Sequence, residues 1–380
     1  MARKTSEEIE MIKKKNNVSD IYSWSKYNTY RNSKYEYFLK YILKEKQDRE
    51  DGIYGISGNA AHNIMEEFYK SEIEYKKMIE LYEEALFNFN LAELKYDRSD
   101  EEKNKKIAKK YEACLRHFFQ SHQIIEGKNI IEQFITIWVD NFLFQGYIDF
   151  LNKKDDCYII TDWKTSTIYS GQKINKEKGQ LVLYAEALRQ KRVPLEKIKI
   201  RWNFLKYVAV QKQLVSGKIA ISNIERNQIG EKLKASAKTW LKKSSLQLDE
   251  LEIEDYLSQM VITNDIKCLP NDVKNKFKIN DCYVYIPYNL EEINLLKEKI
   301  KKTIVEIKTK ECEYNKTKDE KIWWEDVTER QSYYFANLCG YSRKLHKPYN
   351  EYLEHREMFL NNNKKEKNEK EEDLSWLNDL

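Results

Sequence analysis

The sequence contains few of the residues that make tight turns, with only 10 glycines and 4 prolines among 380 residues. Glycine-rich loops that cradle phosphates need several glycines at short spacing, and neither the Rossmann fingerprint nor the P-loop fingerprint occurs. The sequence therefore argues against a dinucleotide-dependent enzyme. It also argues against an ATP-driven helicase.

The six cysteines lie far apart and form no C-x-x-C pair. We expect them to be mostly reduced packing residues of a cytoplasmic protein. No run approaches the eighteen or so apolar residues of a membrane span, and residues 1–15 are charged throughout. We therefore expect no signal peptide and no membrane partner.

Charged residues make up 34% of the chain and hydrophobic residues 41%, so a sizeable core is compatible with a highly charged surface. The 67 basic and 62 acidic groups nearly balance, giving a net charge of +5, and a basic groove could lie within such a mixed surface. The abundance of Lys, Asn, Ile and Tyr is typical of AT-rich genomes. It indicates a low-GC bacterium, or a phage acting in the cytoplasm of such a host.

Hydrophobic periodicity predicts helices at 18–45, 57–91 (broken once), 100–126, 177–191, 222–243, 250–263 and 290–318. It predicts strands at 130–139, 142–151, 158–164 and 197–208, with 211–215 as a hairpin partner. Ser25 is the expected N-cap of the first long helix. We expect an α/β fold with a small mixed sheet flanked by helices, and large additional helical regions.

Five segments follow from these elements. We expect a polar segment at 1–17, a core at 18–220 and a helical insertion or subdomain at 221–320. A C-terminal segment at 321–360 would pack back on the core, and a Lys-, Asn- and Glu-rich tail at 361–380 would be mobile.

The sharpest chemical signal lies in two neighbouring predicted strands. Residues 146–149 read Gly-Tyr-Ile-Asp, and 159–166 read Ile-Ile-Thr-Asp-Trp-Lys-Thr-Ser. Because side chains alternate along a strand, Asp162 and Lys164 share a face, and a hairpin could bring Asp149 beside Asp162. Adjacent carboxylates repel each other, and a hard cation such as Mg²⁺ relieves that repulsion. A D-x-K string alone, however, is most often an ordinary surface ion pair.

Other residues in fixed order strengthen the metal-site interpretation, although each is commonplace alone. His62 follows Gly58 on a predicted helix, and Glu66 lies one turn beyond it. Gln180 and Tyr184 stand four residues apart, which puts them on one helix face.

Taken in order, the elements are Gly58…His62, Glu132, G-x-x-D at 146–149, D-x-K-T at 162–165 and Q-x-x-x-Y at 180–184. This series, over roughly residues 18–210, resembles the RecB/AddB-like branch of the PD-(D/E)XK nuclease superfamily, to which CRISPR-associated RecB-like exonucleases are related. The aromatic segment at 22–27 and a short echo at 335–341 also look like parts of that family's domain.

The resemblance implies a restriction-endonuclease-like fold and a metal-dependent deoxyribonuclease. The catalytic residues would be Asp149, Asp162 and Lys164. Ligands to Mg²⁺ or Mn²⁺ would be His62, Asp149, Asp162 and the backbone carbonyl of Trp163. The DNA-binding side would be lined by Gln180, Tyr184 and Thr165, with Glu66 and Glu132 in supporting positions.

One feature of many RecB-like nucleases, a four-cysteine iron–sulfur cluster, lacks its ligands here. The N-terminal region 30–37 contains no cysteine, and the C-terminal echo keeps only Cys339. One thiolate cannot hold a cluster. We therefore expect that the cluster has been lost, although distant cysteines such as Cys312 would offer an alternative.

Two further segments allow two interpretations each. Residues 197–212 interleave cations with Trp202, Phe204 and Tyr207, which suits single-stranded nucleic acid; more simply, the rings are core and the cations solvated. The terminal Asp-Leu-Ser-Trp-Leu at 373–377 is similar in character to peptides that dock on sliding clamps, or is merely an apolar end.

The leading hypothesis is a DNA exonuclease of replication, recombination or DNA degradation, working with a helicase or recombination partner. The alternatives are an inactive nuclease-fold subunit that binds DNA as a scaffold, and a nuclease directed at RNA. Nothing in the sequence separates exonucleases from endonucleases.

Overall fold

The computed structural model describes residues 4–47, 52–70, 73–97, 100–325 and 339–341. The helices are α1 Ser6–Asn16, α2 Trp24–Asn32, α3 Lys34–Tyr37, α4 Ile53–Tyr69, α5 Tyr75–Leu91, α6 Glu101–Ser121, α7 Gln172–Glu177, α8 Gly179–Gln190, α9 Ile229–Leu241, α10 Glu250–Thr263, α11 Asn271–Lys274 and α12 Leu290–Thr317. The strands are β1 Ile21–Ser23, β2 Lys128–Val139, β3 Phe142–Lys154, β4 Cys157–Lys164, β5 Ile198–Gln213, β6 Ile219–Glu225 and β7 Phe277–Tyr285.

The strands form a mixed sheet in which β3, β4, β5 and β6 lie in that order, with β2 paired to β3 and β7 paired to β5. The β4–β5 pair is parallel, whereas β3–β4, β5–β6 and β5–β7 are antiparallel. Parallel neighbours need a crossover, and α7 and α8 supply it between β4 and β5. The expected class, an α/β fold with a central mixed sheet flanked by helices, is confirmed.

The chain forms two compact units, and the larger one comprises Met1–Asn17, Ile53–Trp138 and Gln145–Leu296. On one side of its sheet, α4, α5 and α6 bury a cluster that includes Met65, Tyr82, Phe118 and Trp163. A second cluster joins α9 and α10 to β5 through residues such as Val210, Leu233 and Leu257. These two layers fix the helix that carries His62 and the strands that carry the aspartates.

The smaller unit comprises Val18–Gly52, Val139–Phe144 and Lys297–Leu380. Its core is strongly aromatic and includes Tyr35, Phe38, Trp323 and Cys339. Phe38 stacks on Trp323 with ring centroids 5.4 Å apart. Cys339 is thus a buried packing residue among aromatic rings.

Several predicted elements match the structure closely. The helix predicted at 250–263 is α10, because Asp249 forms a capping box with Glu252 and Asn264 ends the helix in a left-handed conformation. The helix predicted at 57–91 is indeed broken once, between α4 and α5. The three strands predicted at 130–164 are β2, β3 and β4, each extended by one to three residues.

The single helix predicted at 18–45 is wrong. Its first part contains the strand β1, and the N-cap is Ser23 instead of Ser25, since the Ser23 hydroxyl accepts a hydrogen bond from the Lys26 amide. Ser33 then takes an extended conformation and caps α3. The tyrosine spacing matched a helix, but two serine caps divide the segment.

The predictions around β5 also need correction. Residues 211–213 continue β5, and the true hairpin partner is β6, so the helix predicted from 222 begins only at Ile229. Periodicity misled here because Ile219 and Ile221 are exposed on an edge strand. The region 221–320, predicted as helical, contributes β7 to the sheet. Its alternation is hidden because the polar Asp281 is buried.

Some predictions fall on other parts of the chain. Most of the echo at 335–341, the tail at 361–380 and its apolar terminal peptide lie outside the described residues. The division of the chain at 220 and 320 stays a prediction. Within the described residues, no helix combines the length and the apolar character needed to cross a membrane.

Candidate active site

Asp162 and Lys164 lie together at the end of β4. The register pairs Asp162 with Trp202 and Lys164 with Phe204 of β5. Alternation puts both side chains on one face, where the Lys164 Nζ lies 2.8 Å from an Asp162 carboxylate oxygen. Only 8% of Asp162 is exposed. The strand thus carries a carboxylate and a cation that are largely withdrawn from water.

Asp149 lies beside this pair on the neighbouring strand β3. The antiparallel register pairs Phe150 with Thr161, so Asp149 and Asp162 stand one step beyond that pair on each strand. Burial raises the pKa of Asp149 well above its ordinary value, the Asp162 carboxylate raises it further, and the Lys164 cation opposes the rise. The hairpin therefore holds two carboxyl groups at a spacing where their charges interact.

His62 reaches the same place from α4. Its Nε2 lies 2.8 Å from the carbonyl oxygen of Trp163, and its Nδ1 lies 3.5 Å from a carboxylate oxygen of Asp149. A carbonyl only accepts, so Nε2 carries the proton. Burial lowers the pKa of His62, which favours the neutral ring. The Nδ1 lone pair then faces the Asp149 carboxyl group, so the two groups are opposed acceptors whenever Asp149 is ionised.

This opposition of acceptors is the arrangement that a divalent cation resolves. The neutral nitrogen of His62 and the oxygens of Asp149 and Asp162 are donors suited to Mg²⁺ or Mn²⁺. The Trp163 carbonyl keeps a second lone pair while it orients the imidazole. Within the described part of the chain, no group of three or more His, Cys, Asp or Glu side chains has the geometry to hold a metal ion. The types of donor atom suit the ion, and Lys164 forms an ion pair with Asp162.

Gln180 and Tyr184 line the same site from α8. The Gln180 amide donates a 2.9 Å hydrogen bond to the Tyr184 hydroxyl. Burial raises the pKa of Tyr184; the bond from Gln180 opposes the rise, and the charges of Asp149 and Asp162 add to it. The phenol is therefore close enough to the carboxylates to sense both. The pair thus lies beside the two carboxylates, and the Tyr184 ring is buried.

Gly146 makes room for Tyr184. A β-carbon at residue 146 would lie 2.7 Å from the Tyr184 Cε1 and 2.9 Å from its hydroxyl oxygen. Such contacts are too short, so any larger side chain must displace the phenol. The glycine of G-x-x-D is thus explained by close approach of a helix to β3.

We expect Gly146→Ala to destabilise the protein by about 1–3 kcal/mol, because the buried phenol cannot move without breaking its packing. Urea unfolding measures this change. The matched control is Gly55→Ala: Gly55 lies on α4 with nothing within 4 Å of an added β-carbon, so that change should be neutral or stabilise by up to about 1 kcal/mol. Equal stability of the two variants would contradict the proposed close approach.

The remaining predicted residues border the site. Thr165 follows β4, and its hydroxyl oxygen lies 3.5 Å from the position of a β-carbon on Gly58. Glu66 pairs with Lys70 across one helical turn at 2.5 Å. Glu132 adopts a left-handed φ of +48° within β2, and its charge helps to raise the pKa of Asp149. Glu132 is therefore close enough to Asp149 for their charges to interact.

A series of hydrogen-bonded side chains that supports Trp163 was not predicted from the sequence. Tyr69, on the helix of His62, stacks on Trp163 with centroids 6.4 Å apart and donates to His122 Nε2 at 2.7 Å. His122 Nδ1 in turn lies 2.7 Å from an Asp281 oxygen. These residues come from α4, the loop after α6 and β7. No local motif joins them, so no sequence signal could have grouped them.

The aromatic residues along β5, for which the sequence allowed either nucleic-acid binding or core packing, divide into two kinds. Trp202 and Phe204 are fully buried against Tyr169, with centroids 4.9 and 5.1 Å from its ring. Tyr207 is half-buried and donates to Glu225. The core interpretation therefore holds for the first two rings.

Comparison with known proteins supplies the remaining evidence. The family model for the PD-(D/E)XK nuclease superfamily matches residues 22–342, which is most of the chain and includes every residue placed in the site above. No curated protein matches the chain. The mixed sheet, the carboxylate–lysine pair on β4 and this match agree, and the chain belongs to the PD-(D/E)XK nuclease superfamily.

Proposed function

We propose that this protein is a DNA nuclease that requires Mg²⁺ or Mn²⁺. The observation that carries the proposal is the meeting of Asp149, Asp162 and Lys164 with the unprotonated nitrogen of His62. An ordinary surface ion pair would not withdraw these four groups from water, because burying a charged group costs several kcal/mol even when it is paired. They suit the binding of a cation and of a phosphodiester.

Each residue has a role in this proposal. His62, Asp149, Asp162 and the Trp163 carbonyl would bind the metal ion, which when bound supplies Lewis acidity toward a phosphate oxygen. The two carboxylates would also accept a hydrogen bond from the attacking water and so orient it.

Lys164 and the α8 pair would act on the substrate. Burial alone would lower the pKa of Lys164, but Asp162 and Asp149 raise it above its ordinary value, so the side chain stays cationic. That cation would stabilise the charge developing on the phosphate. Gln180, Tyr184 and Thr165 would position the strand.

We further infer that the protein belongs to the RecB-like branch and acts as an exonuclease in replication, recombination or DNA degradation. His62 on α4 and the Gln180–Tyr184 pair on α8 support the branch. A helicase or recombination protein would supply single strands, and the tail at 361–380 would dock on a sliding clamp. Its setting would be the cytoplasm of a low-GC bacterium or of a phage host.

The test is a cleavage assay with end-labelled linear and circular DNA, single- and double-stranded, in Mg²⁺, Mn²⁺ or EDTA. We expect degradation that requires a divalent ion and disappears in Asp162→Ala and Lys164→Ala. Lys154→Ala is the control, because Lys154 pairs with Glu126 at the exposed end of β3. Parallel reactions with RNA of the same sequence test the substrate.

The outcomes separate the alternatives. Cleavage of closed circles would overturn the exonuclease assignment, and a preference for RNA would favour the RNA-directed nuclease. Binding of DNA without cleavage under every condition would identify an inactive scaffold subunit. Cleavage that survives both active-site substitutions would show that the site lies elsewhere.

A further inference from the structure

A second cationic group lies near the candidate active site and has no role in the scheme above. Lys206 on β5 is half-buried, and its Nζ stands 4.5 Å from the centroid of the Tyr111 ring. Burial lowers the pKa of Lys206, which shows that its charge is held at some cost. Glu225, whose charge opposes this lowering, lies 2.8 Å from Lys110. Among the described residues, the Lys206 ammonium forms no ion pair and no hydrogen bond.

Lys206 stands next to the catalytic strand. β4 ends at Lys164, which pairs with Phe204 of β5. Lys206 follows two residues later on β5, roughly 7 Å along the strand from Phe204. The β5–β7 register is irregular between Asn203 and Val208. Such irregularity redirects side chains. Phe204 packs on Tyr169, whereas Lys206 faces α6.

The ring beneath Lys206 connects it to the site. Burial raises the pKa of Tyr111, and the hydroxyls of Thr165 and Ser57 beside its phenol oppose the rise. Thr165 directly follows the catalytic lysine. Tyr111 thus forms the floor between Lys206 and the end of β4.

An exposed aromatic ring stands on the same floor. Tyr54, in the first turn of α4, contacts Tyr111 edge-on at 5.8 Å and Tyr96 at 5.4 Å. Tyr96 and Tyr111 are buried, but 41% of Tyr54 is exposed. The two buried rings hold Tyr54 in place while part of its surface meets solvent. We call Tyr54, Tyr111 and Lys206 the tyrosine–lysine ledge.

We propose that this ledge binds a single strand of DNA immediately beside the cleavage site, with a backbone phosphate on Lys206 and an unpaired base on Tyr54. The inference rests on the proposed nuclease function and adds the class of substrate. A half-buried ammonium group that pairs with no carboxylate among the described residues is suited to bind an anion such as a phosphate. A fixed, partly exposed ring stacks on a base only when the base is unpaired, since a duplex hides its faces.

The experiment measures binding of a fluorescein-labelled deoxythymidine oligonucleotide in EDTA, where cleavage is prevented, at several salt concentrations. We expect Lys206→Met to raise the Kd about five- to tenfold and to reduce the slope of log K against log salt by about 0.7, the value for one phosphate on a single strand. Tyr54→Ala should raise the Kd severalfold without changing the slope.

Matched variants keep the result interpretable. Lys199→Met removes an exposed cation from the same strand and should leave the Kd and slope unchanged. Lys206→Arg keeps the charge over Tyr111 and should restore binding, which a purely structural role of the side chain would not predict. If Lys206→Met is unstable, Lys206→Arg and Tyr54→Ala carry the test. Binding of a blunt duplex should change less than twofold in every ledge variant.

The inference and the proposed function can fail separately. If the wild-type protein cleaves DNA while Lys206→Met and Tyr54→Ala bind single strands like wild type, the ledge is refuted and the nuclease stands. Equal weakening for duplex and single strand would also overturn the single-strand assignment. If the wild-type protein neither binds nor cleaves any DNA, both proposals fall.

Discussion

Asp149→Asn should lower the rate of metal-dependent DNA cleavage by about a thousandfold, equivalent to about 4 kcal/mol of transition-state stabilisation. The amide has the shape of the carboxyl group but not its charge. It removes one of the two anions that face each other across the β3–β4 hairpin and one partner of the His62 Nδ1. The substitution therefore removes a charged oxygen ligand of the proposed metal site without creating a cavity.

The same substitution should affect stability in the opposite direction. The pKa of Asp149 is raised because of burial and the Asp162 carboxylate, so the ionised form is disfavoured in the folded protein. At neutral pH in EDTA, replacing this buried ionisable group with a neutral amide should raise the midpoint of thermal unfolding. Active-site residues commonly lower the stability of the folded protein because their arrangement serves catalysis.

Thermal unfolding with added Mg²⁺ gives a readout independent of cleavage. An ion that binds only the folded state stabilises it by about 2.7 kcal/mol at a hundredfold excess over its Kd. Wild-type protein should show this rise, and Asp149→Asn should lose most of it. A variant that cleaves within tenfold of wild type, or keeps the full Mg²⁺ shift, would remove Asp149 from the site.

Local chemistry explains which elements could be predicted from the sequence. Asp249 and Asn264 mark both ends of α10, and apolar alternation marks β3 and β4, so these elements follow from a few neighbouring residues. The β4 pair Asp162 and Lys164 needed only alternation. β6 lies at an edge of the sheet, and its Ile219 and Ile221 are exposed. Apolar residues therefore do not mark a buried face there, and the strand could not be predicted from hydrophobic alternation.

The rest of the site depends on contacts between distant segments. The meeting of His62 with Trp163 joins residues 101 positions apart, and motif order could suggest it only through the family. Lys206 shows the opposite case. In the sequence, the aromatic residues of this segment suggested nucleic-acid binding. The structure instead buries Trp202 and Phe204 and places Lys206 beside Tyr111. Which member of a mixed run is functional is decided by tertiary packing.

Asp281 on β7 should be the most costly single residue to replace away from the active site. It is 3% exposed, and it accepts hydrogen bonds from His122 Nδ1 and from the Arg226 guanidinium. Arg226 is itself 1% exposed. We expect Asp281→Ala to destabilise the protein by about 3–5 kcal/mol, because it leaves a buried guanidinium without its counter-charge.

The contribution of Asp281 to stability depends on pH in a direction set by the shift of its pKa. Burial alone would raise the pKa of Asp281, but His122 and Arg226 hold it below its ordinary value. Its stabilisation is therefore complete above the unfolded pKa of about 3.9 and is lost as pH falls through the lower folded pKa. The difference between wild type and variant should stay constant from about pH 8 to pH 7, above the range in which histidines titrate.

A neighbouring histidine gives the wild-type protein a separate acid sensitivity. Burial and the Arg226 charge lower the pKa of His117 to about 4. The unfolded chain binds this proton near pH 6.5, so stability should decline between about pH 6.5 and 4. For this reason the Asp281 comparison belongs at pH 7–8, by urea unfolding followed with tryptophan fluorescence.

A control and a double variant complete the argument. Asp255→Asn, on the exposed face of α10, should change stability by less than about 0.5 kcal/mol. Combining Asp281→Leu with Arg226→Met removes both charges, so its cost should fall well below the sum of the single changes. Additive costs would mean that the pair is not coupled.

Loss of Asp281 should also weaken cleavage at temperatures where the variant remains folded. The reason is that Asp281 positions His122, which hydrogen-bonds Tyr69, and Tyr69 stacks on Trp163 beside the active site. Full activity there would confine Asp281 to stability alone.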